Sequence, residues 1–460
     1  MTESRKRTSI ATTCTCLLLA TLPCMTQSQQ PSPPATSTPT RQLPSGTAAP
    51  VASTGPRLTL ADAERVAIEH NPNISVAKLV ALAQAQVTRE VRSAELPTVV
   101  GDLTAVGAHQ NSRITAGALN NPSIFDRAAG GLSVSQLITD FGRTHNLVRS
   151  AQSNAKAQSE DERATELEIT LTVDQAFFQA LSAQAVLKVA QQTLNQRQAT
   201  ADQVGALDKQ KLKSDLDLSF ANVQNSQAKL LLLDAQNNAS AAMADLNAVL
   251  GSEQNQQFEL VDEISGSPEA PPQDAEALLQ TAFTSRPDLA ALNDNYAAAR
   301  QFSTAERDLW LPTVSALAVG GGTPVRSDQI QSSWYGAAGA NISIPVFNGF
   351  LYSARSQEAK LRANAVGEQV RNLRETIARD LRTAVLNVQN AFQRISVTQE
   401  MLNQANMALD LAQERYKIGL SGIVELTQAQ LSQTEAEIAY ANARYAYQTA
   451  LAMVRFQTGS

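Results

Sequence analysis

The residues best able to do chemistry in this chain are few and scattered. His70, His109 and His145 are the only histidines among 460 residues, and they fall in three different segments. No His-x-x-x-His pair or cysteine cluster joins them to hold a metal. Each reads as a surface or interhelical residue. Cys14, Cys16 and Cys24 are the only cysteines. No phosphate-binding loop, dinucleotide fingerprint or Gly-x-Ser-x-Gly elbow is present. The sequence therefore reads as no enzyme and as needing no cofactor, so any energy it uses must come from partners. A net charge of −6 and a pI near 5.3 leave no basic surface to neutralise phosphates, which argues against nucleic acid as a partner.

With no catalytic set, the elements carry the information. Residues 340–457 open on Ala340, Ile342, Ile344 and Val346 alternating with Asn341 and Ser343, the period-two pattern of a strand with two unlike faces. Apolar positions then step by three and four through Val370, Leu373, Ile377, Leu381, Val385, Val388, Phe392 and Ile395. That narrow stripe predicts a long helix with a coiled-coil seam. Residues Gly131–Gly142 repeat the construction. Asp140 falls on Asn348 and Gly251 on Gly459 at one offset, 208, while Pro72 falls on Pro287 and Pro97 on Pro312 at another, 215. Matched pairs at constant spacing imply a tandem duplication with seven extra residues in the first copy's loop.

Taken in order, residues 1–28 combine Arg5, Lys6 and Arg7 with an apolar run from Ile10 to Leu22. That run is shorter than the ~20 residues a membrane helix needs, so it reads as a secretory signal peptide. All three cysteines lie inside it, which fits an oxidising envelope compartment. Cys24 is a candidate lipidation site, although Leu22-Pro23 makes a poor lipobox. Residues 29–57 are rich in Pro, Ser and Thr and read as a disordered linker. The first structural repeat is expected over 58–251, an irregular connection over 252–273 and the second repeat over 274–460.

Each repeat is expected to run helix, strand, polar loop, strand, long helix, turn, helix. The strands are placed at Val99–Ala105, Leu132–Ile138, Val314–Val319 and from Ala340, lengths of about ten residues that span a bilayer when tilted. Four strands cannot close a barrel, so an oligomer is required, and three chains would supply twelve. The long helices are expected at Gly142–Val204 and Phe350–Ile418, 63 and 69 residues, or roughly 100 Å at ~1.5 Å per residue. Thr59–Glu95, Ser214–Leu250 and Asp274–Trp310 are 37 residues each, so two stacked pieces approximate one long helix.

The Leu-Pro pairs at Leu96-Pro97 and Leu311-Pro312, both strand-to-helix junctions and Tyr416-Lys417-Ile418-Gly419-Leu420 together resemble the TolC-like outer membrane efflux protein family, and the match spans Leu58 to Gly459. The resemblance implies a mainly α fold with a membrane β-barrel. A long coiled-coil tunnel would continue into a homotrimeric twelve-stranded barrel in outer membrane lipid, with the helices in the periplasm of a Gram-negative type bacterium. It implies as partners a periplasmic membrane-fusion adaptor and an inner membrane transporter of RND or ABC type. The function implied is passive export of small molecules. Type I protein secretion uses the same channel plan, and a periplasmic coiled-coil scaffold without a pore is the reading from another class.

The resemblance also places the functional residues. Adaptor docking turns fall at Val204-Gly205 and at Ile418-Gly419-Leu420. A periplasmic entrance gate falls at Tyr416, Ser421, Glu425 and Gln428, with Ser421 where the family carries an Arg and Gln428 where it carries a second acid. Glu425 and Gln428 at spacing i, i+3 share a helix face, and three converging copies of Glu425 would favour cations.

Overall fold

The computed structural model describes residues 55–107, 126–252, 256–263, 270–272, 274–325 and 332–459, all within one compact unit, Ser53–Ser460. The signal peptide, Cys24, His109 and most of both the linker and the first polar loop lie outside the described residues. The far end of the expected linker is ordered. Its last residue, Arg57, forms strand β1 (Arg57–Leu58), which pairs in parallel with β4 (Glu259–Leu260). The physical reason is Leu58, which is buried in an apolar cluster with Phe177, Leu246 and Tyr445.

Each repeat begins with a helix that breaks at an X-Pro step. Helix α1 (Leu60–His70) is capped by Thr59, whose hydroxyl accepts the Asp62 amide at 3.1 Å. Helix α2 (Pro72–Ser93) follows after Asn71. In the second repeat α5 (Ala275–Ser285) and α6 (Pro287–Arg307) flank Arg286. Asn71 and Arg286 sit at φ −68°, ψ 124° and φ −69°, ψ 120°, the extended backbone that a following proline imposes.

The full-length helices are α3 (Arg143–Lys209) and α7 (Leu351–Lys417), 67 residues each. They turn back into α4 (Asp215–Val249) and α8 (Ile423–Thr458). The break residues join the stacks. Asn71 Nδ2 donates to the Val249 carbonyl at 3.0 Å, and Arg286 Nη1 donates to Gln457 Oε1 at 2.6 Å. Gly251 and Gly459 end α4 and α8 at φ +73° and +78°. A Cβ on either would lie 2.8 to 2.9 Å from backbone of the break segment, so only glycine fits the joint. Thus α2 stacks on α4 and α6 on α8. The expected 37-residue pieces are corrected here: α1 and α5 leave the stack at the proline and pack sideways, α1 on α3, and α5 on α7 and α8.

Helix α3 packs against α2 and α4 on one side and against α6 and α8 on the other, and α7 packs on the far side of α6 and α8. This makes a wall of four rows. The seam read from the sequence is its core: Ile377, Leu381, Val385, Val388 and Ile395 are buried, and Val370, Leu373 and Phe392 pack against them.

The strands β2 (Thr98–Val106), β3 (Arg127–Thr139), β5 (Thr313–Val325) and β6 (Trp334–Ser343) form one antiparallel sheet in the order β2-β3-β5-β6. Several bounds differ from expectation, and β3 already starts at Arg127, five residues before Leu132. β5 runs on through Gly320-Gly321-Gly322, a stretch read as loop, because a Cβ on Gly321 would strike the Gly130 carbonyl oxygen and the Tyr335 ring. β6 starts at Trp334 and stops before Pro345, which has no amide to donate. Paired residues share a face. One face carries Val99, Leu103, Leu132, Val134, Ala318 and Ile342, and the other mixes Asp102, Thr104, Ser133, Ser315, Asn341 and Ser343 with Val100, Leu137, Leu317 and Val319.

At both strand-to-helix corners two consecutive residues take left-handed backbone. These are Phe141 and Gly142 at φ +57° and +108°, and Gly349 and Phe350 at φ +63° and +66°. Both corners obey the offset of 208. Among the described residues no helix is long and apolar enough to cross a membrane.

Candidate functional site

The predicted gate and docking residues converge at the end of the wall remote from the sheet, where α3 turns into α4 and α7 into α8. Between α7 and α8, Gly419 takes φ +77°. The Leu420 amide reaches back to the Arg415 carbonyl at 2.8 Å and the Gly419 amide to that of Tyr416 at 3.2 Å, a C-terminal cap that needs a left-handed residue. Nothing lies within 4 Å of a Cβ at Gly419. Ile418 and Leu420 are each 68% exposed beside it. The triplet is therefore an apolar knob at the tip of the chain.

The first-copy turn is not at Val204-Gly205. Helix α3 continues to Lys209. Val204 is fully buried with Ala201, Leu409, Tyr416, Ile423 and Leu426, and a Cβ at Gly205 would make ordinary contact with Leu218 at 3.5 Å. A glycine with helical φ does not stop a helix. The left-handed residue that does is Lys211, at φ +60°. The offset of 208 places Lys211 on Gly419 and Leu212 on Leu420, and Leu212 is 66% exposed, as its counterpart is. The duplication spacing marks this turn, whereas the family resemblance pointed to Val204-Gly205, one to two helical turns earlier. Ser214 and Asp217 then restart the chain with a capping box.

Tyr416 joins the two turns. It is buried, with Lys213 Nζ 4.2 Å from its ring centroid. Its hydroxyl has no hydrogen-bond partner. Burial, and then the nearby Asp217 charge, push the phenol up from its ordinary pKa. The Ser421 hydroxyl is likewise buried without a partner. Gln428 is exposed on the first turns of α8.

Glu425 has a cation that sequence reasoning missed. Arg415 Nε, on the last turn of α7, donates to Glu425 Oε1 at 2.8 Å, with both side chains about half exposed. Ser421 does occupy the position expected of an Arg, yet an Arg adjacent to Tyr416 reaches the acid across the turn. Ten residues separate the pair, a spacing that no helical pattern reports.

A second unforeseen feature lies one level above. Arg197 of α3 is 4% exposed and donates to Gln430 Oε1 of α8 at 2.7 Å, while Gln430 Nε2 donates to Thr200 Oγ1 at 3.2 Å. Burial lowers the guanidinium pKa. A buried cation satisfied by neutral oxygens fixes the register of α3 on α8. The site offers no nucleophile with a base. Its chemistry is steric and electrostatic, with an apolar tip, a crossed ion pair and a buried tyrosine that links both turns.

Comparison with known proteins gives one family. A profile described as outer membrane efflux protein matches residues 65–252 and 278–460, close to the two repeats. The outer membrane protein TolC of Salmonella enteritidis is 23% identical over 373 residues, covering 78% of this chain and 73% of that protein. The open state of the Neisseria gonorrhoeae MtrE outer membrane channel superposes with a TM-score of 0.74 at 21% identity, over 88% of this chain and 90% of that one. The Campylobacter jejuni CmeC outer membrane channel gives 0.75 at 18% identity, over 87% and 85%. At these identities the two structures report the fold.

Proposed function

This chain belongs to the outer membrane efflux protein family, and we propose that it is the outer membrane channel of a tripartite efflux system, a homotrimer that passively conducts small molecules. As a member of that family it is an outer membrane protein with a periplasmic extension and not an enzyme. A periplasmic adaptor would meet the knob formed by Ile418, Gly419 and Leu420, together with its counterpart around Leu212. An inner membrane transporter would supply substrate and energy. Arg415, Glu425 and Gln428 would line the periplasmic entrance, with Tyr416 buried within the turns that carry them.

The observation that carries this reading is the sheet. Four strands, with one apolar face and one that holds the sheet's polar residues, end in two edges, β2 and β6, that have no partner among the described residues. Open edges cannot face hydrocarbon, so the sheet must close through further copies, with the apolar face to lipid and the face that holds Asp102, Thr104, Asn341 and Ser343 to a lumen. A pore-free coiled-coil scaffold has no use for such a sheet. Membrane fractionation followed by mass measurement in detergent tests this. The reading expects trimers in the outer membrane fraction, and a soluble monomer would refute it.

A further inference from the structure

The joint that seats α1 on α3 carries like charges, and its counterpart in the second repeat carries opposite ones. Glu64 of α1, Asp174 and Thr170 of α3 and Arg455 of α8 line a cleft of about 190 Å³ whose remaining lining is apolar. Glu64, Asp174 and Arg455 are the charged groups that face it, and α2, α4 and α6, which also pack on α3, contribute none. Asp174 is 4% exposed. Its Oδ1 has no hydrogen-bond partner, and its carboxyl lies within hydrogen-bonding reach of Glu64. The offset of 208 places Arg382 on Asp174. Arg382 pairs with Glu276 at 3.6 Å, and Glu276 belongs to α5, the counterpart of α1. The second repeat thus closes this joint with its own side chains, while the first sets two carboxylates against one guanidinium.

That imbalance has a chemical consequence. Ionised carboxylates only accept hydrogen bonds, so a bond between Glu64 and Asp174 requires a proton on one of them. With both ionised, the charge of Arg455 would balance one and leave the other buried at high cost. We propose that Glu64 and Asp174 form a proton-binding site that clamps α1 onto α3, closed while one carboxyl is protonated and loosened once both are ionised. A metal ion fits less well. Calcium takes roughly six to eight oxygens. The cleft offers two carboxylates and the Thr170 hydroxyl, which already donates to the Glu166 carbonyl at 2.9 Å, beside a guanidinium that repels cations.

Helix α1 is suited to such control. Its 11 residues are too few to hold a helix unaided, and its buried side chains, Ala63 and Ala67, give little apolar area. Leu58 anchors the strand before it, and Asn71 joins the break after it to Val249. The proton therefore acts at the middle of a segment pinned at both ends, and loosening the clamp frees α1 without parting α2 from α4. The clamp stands whether or not copies of the chain close a channel.

Hydrogen exchange resolved to peptides, corrected for the intrinsic pH dependence of exchange, measures the clamp in the full chain. Burial, and then Glu64, raise the Asp174 carboxyl to about 7, against about 3.9 for an exposed aspartate. Protection of residues 60–70 should therefore fall by about ten-fold per pH unit between pH 5 and 7 and level off above. Residues 275–285 of α5, held beside an opposite-charge pair, are the internal reference and should keep level protection. Asp174→Asn should remove the fall, leaving α1 as protected at pH 8 as the parent chain is at pH 5, and Glu64→Gln should reduce it. An undiminished fall in Asp174→Asn, an equal fall in α1 and α5, or no fall in the parent chain would each overturn the clamp. Calcium that restores α1 protection at pH 8 would make the pair a metal site and overturn the proton assignment.

Discussion

Gly419 and Lys211 occupy one position in two copies of the same turn, and the difference decides what each tolerates. Gly419 is left-handed with open space around it, so a leucine there costs backbone strain of about 1–2 kcal/mol and crowds the exposed tip proposed to meet an adaptor. Gly419→Leu should leave trimers intact and cut export, and unchanged export would remove the docking assignment. Gly205 keeps helical backbone near the end of α3 with room for a methyl group, so Gly205→Ala should hold or raise thermal stability, by up to about 1 kcal/mol, as a melting curve would show. At the entrance, Glu425→Gln leaves Arg415 without its acid. Because both side chains are half exposed, the cost in stability should be under about 1 kcal/mol. In conductance, block by multivalent cations should weaken, and equal block in both proteins would place the acidic ring elsewhere. Asp174, in the middle of α3, gives a pH signature. Burial first, and then its hydrogen bond and proximity to Glu64, raise its carboxyl to about 7, against the opposing charge of Arg455. The folded chain keeps a proton that the unfolded chain releases, so this site's contribution is full below about pH 4 and is lost as pH rises through 7. Asp174→Asn should flatten the fall in melting temperature between pH 5 and 8, and an unchanged slope would show that another group carries it.

Elements with a periodic cause were legible in the sequence, and those set by tertiary contact were not. The coiled-coil seam from Val370 to Ile395 and both strand-to-helix corners follow from spacing and appear where expected, whereas the X-Pro steps, matched in sequence as Pro72 and Pro287, divide the expected 37-residue pieces. Strand ends were misplaced at Gly320-Gly321-Gly322 because glycine there answers to the Tyr335 ring and the Gly130 carbonyl, neither of which is local. The Arg415–Glu425 pair and the buried Arg197 escaped for the same reason, since each partner lies across a turn or on another helix. Stack joints show the rule from the other side. Gly251 and Gly459 matched in sequence before their role was visible, and the role is a close approach of backbone to backbone. Gly251→Ala would place a Cβ 2.8 Å from the His70 carbonyl oxygen at positive φ, so it should destabilise the joint of α2 on α4 by about 1–3 kcal/mol. Hydrogen exchange localised to residues 66–75 and 245–252 would report the loosening, and unchanged protection there would show that the joint does not depend on glycine.

At the scale of the molecule, every feature points outward to copies and partners. The wall has two free faces, the sheet two free edges and the tip an apolar knob, while its only buried arginine cluster of this kind among the described residues locks α3 to α8 within the chain. On the proposed function such a body would close only as a ring of copies, with hydrocarbon on one side of its strands and water on the other. Conductance across a planar lipid bilayer measures that closure most directly. Purified from outer membranes, the protein should insert as trimers and give discrete, long-lived current steps of uniform size. Trimers that insert and pass no current under any voltage would contradict the channel.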